Sequence, residues 1–113
     1  MRRVLLLLVL AAAPFAGSAA ARPQAPDPAV DRGQAIAQRR CAECHAVRPG
    51  RDSADGDAPA FTVLRLRYNE LSLSRRIEVV TRGEHFGMPP LSLNDADRHD
   101  LVSYIESLRS EVP

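Results

Sequence analysis

The chain has 113 residues, a formal charge of +1, no Trp, and only two Tyr and three Phe. That length allows one domain, and a small domain with so few large aromatics has little core of its own. The near-neutral balance excludes a bulk-basic binder of nucleic acid; all fifteen basic residues are Arg, a bias that carries no functional reading.

The chain opens on Met1-Arg2-Arg3, an apolar run over residues 4–13, and small residues ending at Ala19-Ala20-Ala21. Charged, apolar, then small is the layout of a secretory signal. Cleavage is expected after Ala20 or Ala21, so residues 1–21 are read as a signal peptide. The apolar run is shorter than the ~20 residues a membrane span needs, and Pro14 and Gly17 prevent its extension. No stable span is therefore expected after cleavage, and no Cys stands near the cut to take a lipid. Losing Arg2 and Arg3 turns the charge from +1 to −1. The expected location is exported and periplasmic.

Residues 22–28 (RPQAPDP) form a Pro-rich lead-in, extended and mobile by composition. Residues 29–113 are read as the folded domain. Asp27 can cap a first helix and Pro28 suits its first turn. Val30, Gly33, Ala37 and Arg40 fall on one stripe, with Ile36 beside it. Gly33 costs about 1 kcal/mol against Ala inside a helix, unless another helix must come close there.

Cys41-Ala42-Glu43-Cys44-His45 comes directly after this helix. C-x-x-C-H is an attachment signal for a c-type haem. Its two thiols can reach the vinyl groups on one porphyrin edge, and His45 then faces the iron. A disulfide across a two-residue gap would be a tight redox loop, not a staple closing a long one. A thioredoxin-like site should come with strand–helix–strand signals, and none is visible. A structural zinc site normally shows four ligands at paired spacing, which the scattered His residues do not supply.

Residues 48–58 (RPGRDSADGDA) are polar and turn-forming, closed by Pro59. Residues 61–68 read as a short helix with Phe61, Leu64 and Tyr68 on one side. A further helix is expected from Ser72 or Ser74 to Arg82, with Leu73, Ile77 and Val80 inward. Gly83 stands where a left-handed cap is wanted. Residues 84–93 (EHFGMPPLSL) cannot be helical through Pro89-Pro90 and read as an extended loop. Asn94 opens the last helix, with Asp97 placed as in a capping box. Leu101, Tyr104, Ile105 and Leu108 keep the i, i+3, i+4, i+7 spacing of a buried face. The fold class is all-α, with four to five short helices.

Haem iron takes a sixth ligand from Met or a second His, or stays open. Met88 is the only Met after the leader. It sits in a stiff Gly87-Met88-Pro89-Pro90 loop, a poor place for core filler. His85 is the competing candidate, and His99 lies off the apolar stripe.

From about residue 29 to 110 the chain resembles the class I cytochromes c, as a small bacterial monohaem member. The features come in that family's order: helix, CAECH, a loop closing on Pro, short helices, a GMPP loop, and a terminal helix carrying Leu and Tyr. The resemblance implies one haem c held through Cys41 and Cys44, His45 and Met88 as axial ligands, and the Pro59 carbonyl accepting the His45 ring N–H. It also implies that Gly33 is the small residue where the terminal helix crosses the first, near Leu101 and Tyr104. Ala37 departs from the aromatic many relatives carry there. Arg65, Arg67, Tyr68 and Arg75 are candidates for the haem propionates.

The expected function is one-electron transfer and not enzymatic catalysis. The protein is read as a monomer or as the cytochrome subunit of a dehydrogenase or oxidase system. Its partners would be redox proteins: a donor dehydrogenase and an acceptor oxidase or reductase. The rival reading is a haem catalyst or gas and redox sensor whose Met88 is labile or absent from the iron. Five Arg over residues 65–82 against Glu70 and Glu78 suggest a basic side for an acidic partner.

Overall fold

The computed structural model describes residues 25–84 and 87–108. The expected signal peptide, residues 22–24 of the lead-in and His85 lie outside the described residues. Every regular element within them is helical: α1 (Pro28–Arg40), α2 (Phe61–Arg67), α3 (Glu70–Val79) and α4 (Asp95–Ser107).

Asp27 starts α1 by accepting the Ala29 N–H at 2.9 Å, and Pro28 costs nothing in a first turn whose N–H has no helical partner. The buried face of α1 is Ala29, Gly33, Ile36 and Ala37. It is rotated from the expected stripe. Val30 packs only partly against the core and Arg40 is exposed. The rotation follows from Gly33, which must face α4. A Cβ built on Gly33 would stand 1.9 Å from the Asp100 carbonyl oxygen and 2.7 Å from the Tyr104 Cβ. The two helices touch backbone to backbone, and only Gly permits that approach. Arg32 clamps the same crossing through a two-pronged bond to Asp100, at 2.6 and 2.9 Å.

α2 ends at Arg67, one residue short of the expectation, because Tyr68 turns extended. α3 begins earlier than Ser72. Asn69 is its cap: the Asn69 side chain accepts the Ser72 N–H at 2.9 Å and the Ser72 hydroxyl accepts the Asn69 N–H at 3.0 Å. Ser72 is thus the inner partner of a capping box and not the cap itself. Past Val79 the chain makes one wider turn, Val80–Glu84, that ends as Gly83 swings to φ 87°. The left-handed Gly expected there is present. Asn94 opens α4 by accepting the Asp97 N–H at 2.8 Å.

The core gathers Ile36, Ala37, Phe61, Leu73, Ile77, Leu101 and Ile105 from all four helices. Arg65 is buried among them and pairs with Glu106 at 3.2 Å, tying α2 to α4.

Both contacts at the α1–α4 crossing can be tested. In Gly33→Ala the gain of about 1 kcal/mol in helix propensity is outweighed by overpacking, which commonly costs about 1–3 kcal/mol and more where backbone is struck. Thermal unfolding should show Tm lowered by more than about 10 °C. At the ion pair, the Arg32 hydrogen bonds hold the Asp100 carboxyl below its ordinary value, against a weaker upward push from burial. A lowered folded pKa gives stability above the unfolded value of ~3.9 that is lost as pH falls through the folded one. Denaturation at stepped pH should find the acid limb of the stability curve shallower in Asp100→Asn than in the parent.

Candidate functional site

The chain leaves α1 in a tight turn that presents the CAECH side chains. The Cys41 and Ala42 N–H groups both bond the Ala37 carbonyl, and the Cys44 and His45 N–H groups both bond the Cys41 carbonyl, at 3.2 and 2.9 Å. Both cysteines are free thiols. Cys41 is buried and Cys44 half-buried. Burial pushes the Cys41 thiol up to about 11, with Arg40 pulling weakly the other way.

The polar loop is stitched to this turn. The Asp55 N–H donates to the Cys44 carbonyl at 3.1 Å, and the Phe61 N–H to the Ala46 carbonyl at 2.9 Å. The Ala46 N–H donates to the Ser53 hydroxyl at 2.9 Å. These bonds bring Pro59 back over His45, whose Nδ1–H donates to the Pro59 carbonyl at 2.8 Å. That bond selects the tautomer, leaving Nε2 with its lone pair for a ligand. The Phe61 ring sits 5.8 Å from the imidazole and tilted by 55°. On the far side of the turn, the Tyr104 hydroxyl donates to the Val47 carbonyl at 2.7 Å. The segment carrying His45 is thus held from both α2 and α4.

Cys41, His45 and Met88 line one cleft of about 720 Å³, within the roughly 300–1,000 Å³ common for cofactor sites. Its other walls are largely apolar: Leu64 from α2, Leu73 and Ile77 from α3, Leu101 and Ile105 from α4. Met88, half-buried, comes from the loop between Gly83 and α4. That loop is anchored where the Leu91 N–H donates to the Thr81 carbonyl at 2.8 Å and where Pro90 lies against Gly83. Gly87, at φ 79°, turns the chain ahead of Met88. A smaller recess of about 170 Å³ shares Cys41, His45 and Met88 and adds Cys44, with Glu43, Asp55, Asp57 and Arg40 at its rim.

The donor set fits a covalently held haem. The Cys41 thiol, an imidazole with one free nitrogen and a thioether gather at a largely apolar cleft, and the Cys44 thiol lines the recess beside it. Among the described residues no three His, Cys, Asp or Glu side chains cluster to hold a metal ion. Of the four propionate candidates, Arg67 and Tyr68 line the cleft. Arg65 is turned to Glu106, and Arg75 lies on an outer groove. Arg51 and Arg76 also line the cleft and escape the sequence reading. Arg76 is next to the inward Ile77, a position that could have pointed to it; nothing local points to Arg51. His99 is exposed, 3.6 Å from Asp100 and away from the cleft.

Residues 28–105 match the family described as cytochrome c oxidase, cbb3-type, subunit III. The chain is 32% identical to cytochrome c-552 of Bradyrhizobium diazoefficiens over 102 residues, which cover 90% of each protein. No solved structure matches the chain.

Replacing Tyr104 by Phe keeps the packing at the helix crossing but leaves the Val47 carbonyl buried without the hydroxyl. Urea unfolding should show a loss of about 1–2 kcal/mol.

Proposed function

The chain belongs to this family of c-type cytochromes, haem-based electron carriers, and we propose that it carries one haem c joined to Cys41 and Cys44 and ligated by His45 and Met88. The observation that supports this most is the meeting of Cys41, His45 and Met88 at one cleft. Haem in such a site supplies one-electron exchange, and His/Met ligation raises its potential.

The chain's own residues do the rest. The Pro59 carbonyl holds the His45 ring in one orientation and raises its basicity as a ligand. Pro89, Pro90 and the Leu91–Thr81 bond restrict the loop that offers the Met88 sulfur. Leu64, Leu73, Ile77, Leu101 and Ile105 exclude water and lower the local dielectric. Arg51, Arg67 and Arg76, with Tyr68, furnish the donors for carboxylates at the cleft wall. A thioether held at the cleft supports a sealed six-coordinate electron carrier over a catalyst or gas sensor, which needs an open position.

We place the mature protein in the periplasm after loss of residues 1–21. Among the described residues no helix is long and apolar enough to cross a membrane. The family's description names an oxidase subunit, and the partner class we favour is accordingly a terminal oxidase on the acceptor side.

The reading is tested on protein produced with haem-attachment machinery. Haem should stay with the polypeptide through denaturation and be lost to extraction when Cys41 and Cys44 are both Ser. Met88→Ala should abolish the weak near-infrared sulfur–iron band and lower the potential. An unchanged spectrum would transfer the sixth position to another residue, with His85 the first to substitute.

A further inference from the structure

The inward stripe of α3, Leu73 and Ile77, is buried in the core. Its outer side carries Leu71, Arg75 and Val79 at i, i+4, i+8, neighbours along one helical face. These three, with Tyr68 and Arg76, line an open groove of about 460 Å³. Leu71 is 73% exposed and Leu66, across the Tyr68 turn, 72%. They are the exposed large hydrophobics among the described residues. No carboxylate lines the groove. Of the two carboxylates on α3, Glu78 is taken by Arg82 and Glu70, in the first turn beside Leu71, lines the neighbouring groove with Asp95 and Arg98. Arg75 and Arg76 have no ion-pair partner among the described residues.

This groove adjoins the cofactor cleft, since Tyr68 and Arg76 line both. The recess beside Cys44 has the opposite charge, with Glu43, Asp55 and Asp57 against Arg40, and shares no lining residue with the groove. An acidic partner is therefore disfavoured at the Cys44 recess and attracted to α3. Of the five Arg expected over residues 65–82 to form a basic side, Arg75 and Arg76 line this groove, while Arg65 turns to Glu106 and Arg82 to Glu78.

Building on the electron-carrier reading, we propose that the outer groove of α3 docks a redox-partner protein that presents an apolar side chain flanked by carboxylates. The apolar group covers Leu71 and Val79, and the carboxylates meet Arg75 and Arg76. The occupant then stands against the wall that Tyr68 and Arg76 share with the cleft. A concave groove with two Arg to offer suits a protein knob better than a lipid surface, for which basic clusters commonly number about 4–8.

The test uses the mature haem-loaded protein and a synthetic helical peptide, with Leu flanked by Glu one turn to either side and a ruthenium photoreductant at its terminus. Binding should shift the amide resonances of Leu71, Arg75 and Val79 and weaken steeply with ionic strength. Flash reduction should give a rate that saturates with peptide. The variant Leu71→Asn/Arg75→Glu, which leaves the cleft untouched, should keep its haem spectrum and bind about tenfold or more weakly. Shifts mapping to the Cys44 recess, or equal binding by the variant, overturn the proposal. So does binding to phosphatidylglycerol vesicles with none to the peptide. A preparation without covalent haem overturns the electron-carrier reading and this inference together. A normal haem spectrum with an indifferent peptide overturns the docking site alone.

Discussion

The close crossing of α1 and α4 at Gly33 is the constraint on which the other contacts depend. Two helices that touch backbone to backbone bring Asp100 within reach of Arg32. They also set Tyr104 low enough for its hydroxyl to reach the Val47 carbonyl. Val47 is two residues from His45, so the crossing reaches the cofactor turn through one side chain. Filling the crossing with a Cβ would push α4 outward and withdraw that hydroxyl. Leu101 and Ile105, which wall the cleft from α4, would move with it.

Much of this is legible in the sequence because its signals are local. Asp27-Pro28, Gly83 and Asn94 each announce a helix end through their own backbone or side-chain chemistry, and each does so in the fold. CAECH and GMPP are local as well, and they point to a haem before any packing is known. The contact from His45 to Pro59 spans 14 positions and comes from resemblance, since no local rule selects one carbonyl in a polar loop. The start of α3 escapes pattern reading for a related reason. Ser72 and Asn69 both suit a cap, and only their reciprocal bonds show which is outside. The stripe of α1 is rotated because pattern alone weighs Val30 above Ala29, whereas the backbone approach at Gly33 decides the face.

Arg65 illustrates what pattern reading cannot reach. A basic residue on a short helix is ordinarily solvated, and the sequence offers Arg65 and Arg67 as equals. In the fold Arg67 lines the cleft while Arg65 is buried against Glu106 of α4. Its guanidinium also donates to the Tyr68 carbonyl at 3.3 Å, where the chain turns from α2 into α3. A buried ion pair adds little stability over an apolar pair of the same shape. What it adds here is direction: the α2–α3 turn is tied to α4, and Tyr68 is thereby set on the cleft wall.

Electron flow makes two demands that this fold keeps apart. A carrier must hold its ligands still while the charge at the iron changes, and it must also meet partners briefly. The proposed ligands come from segments tied to the core, one through Pro59 and Val47, the other through Thr81 and Gly83. The exposed apolar groups lie elsewhere, on the outer side of α3 and across the Tyr68 turn. Recognition at α3 can therefore be loose and salt-sensitive without disturbing His45 or Met88, because Leu73 and Ile77 fix the helix from the inside. One short helix thus walls the cofactor cleft with Leu73 and Ile77 and carries the proposed docking groove on its outer side, so that only the width of the helix separates the two.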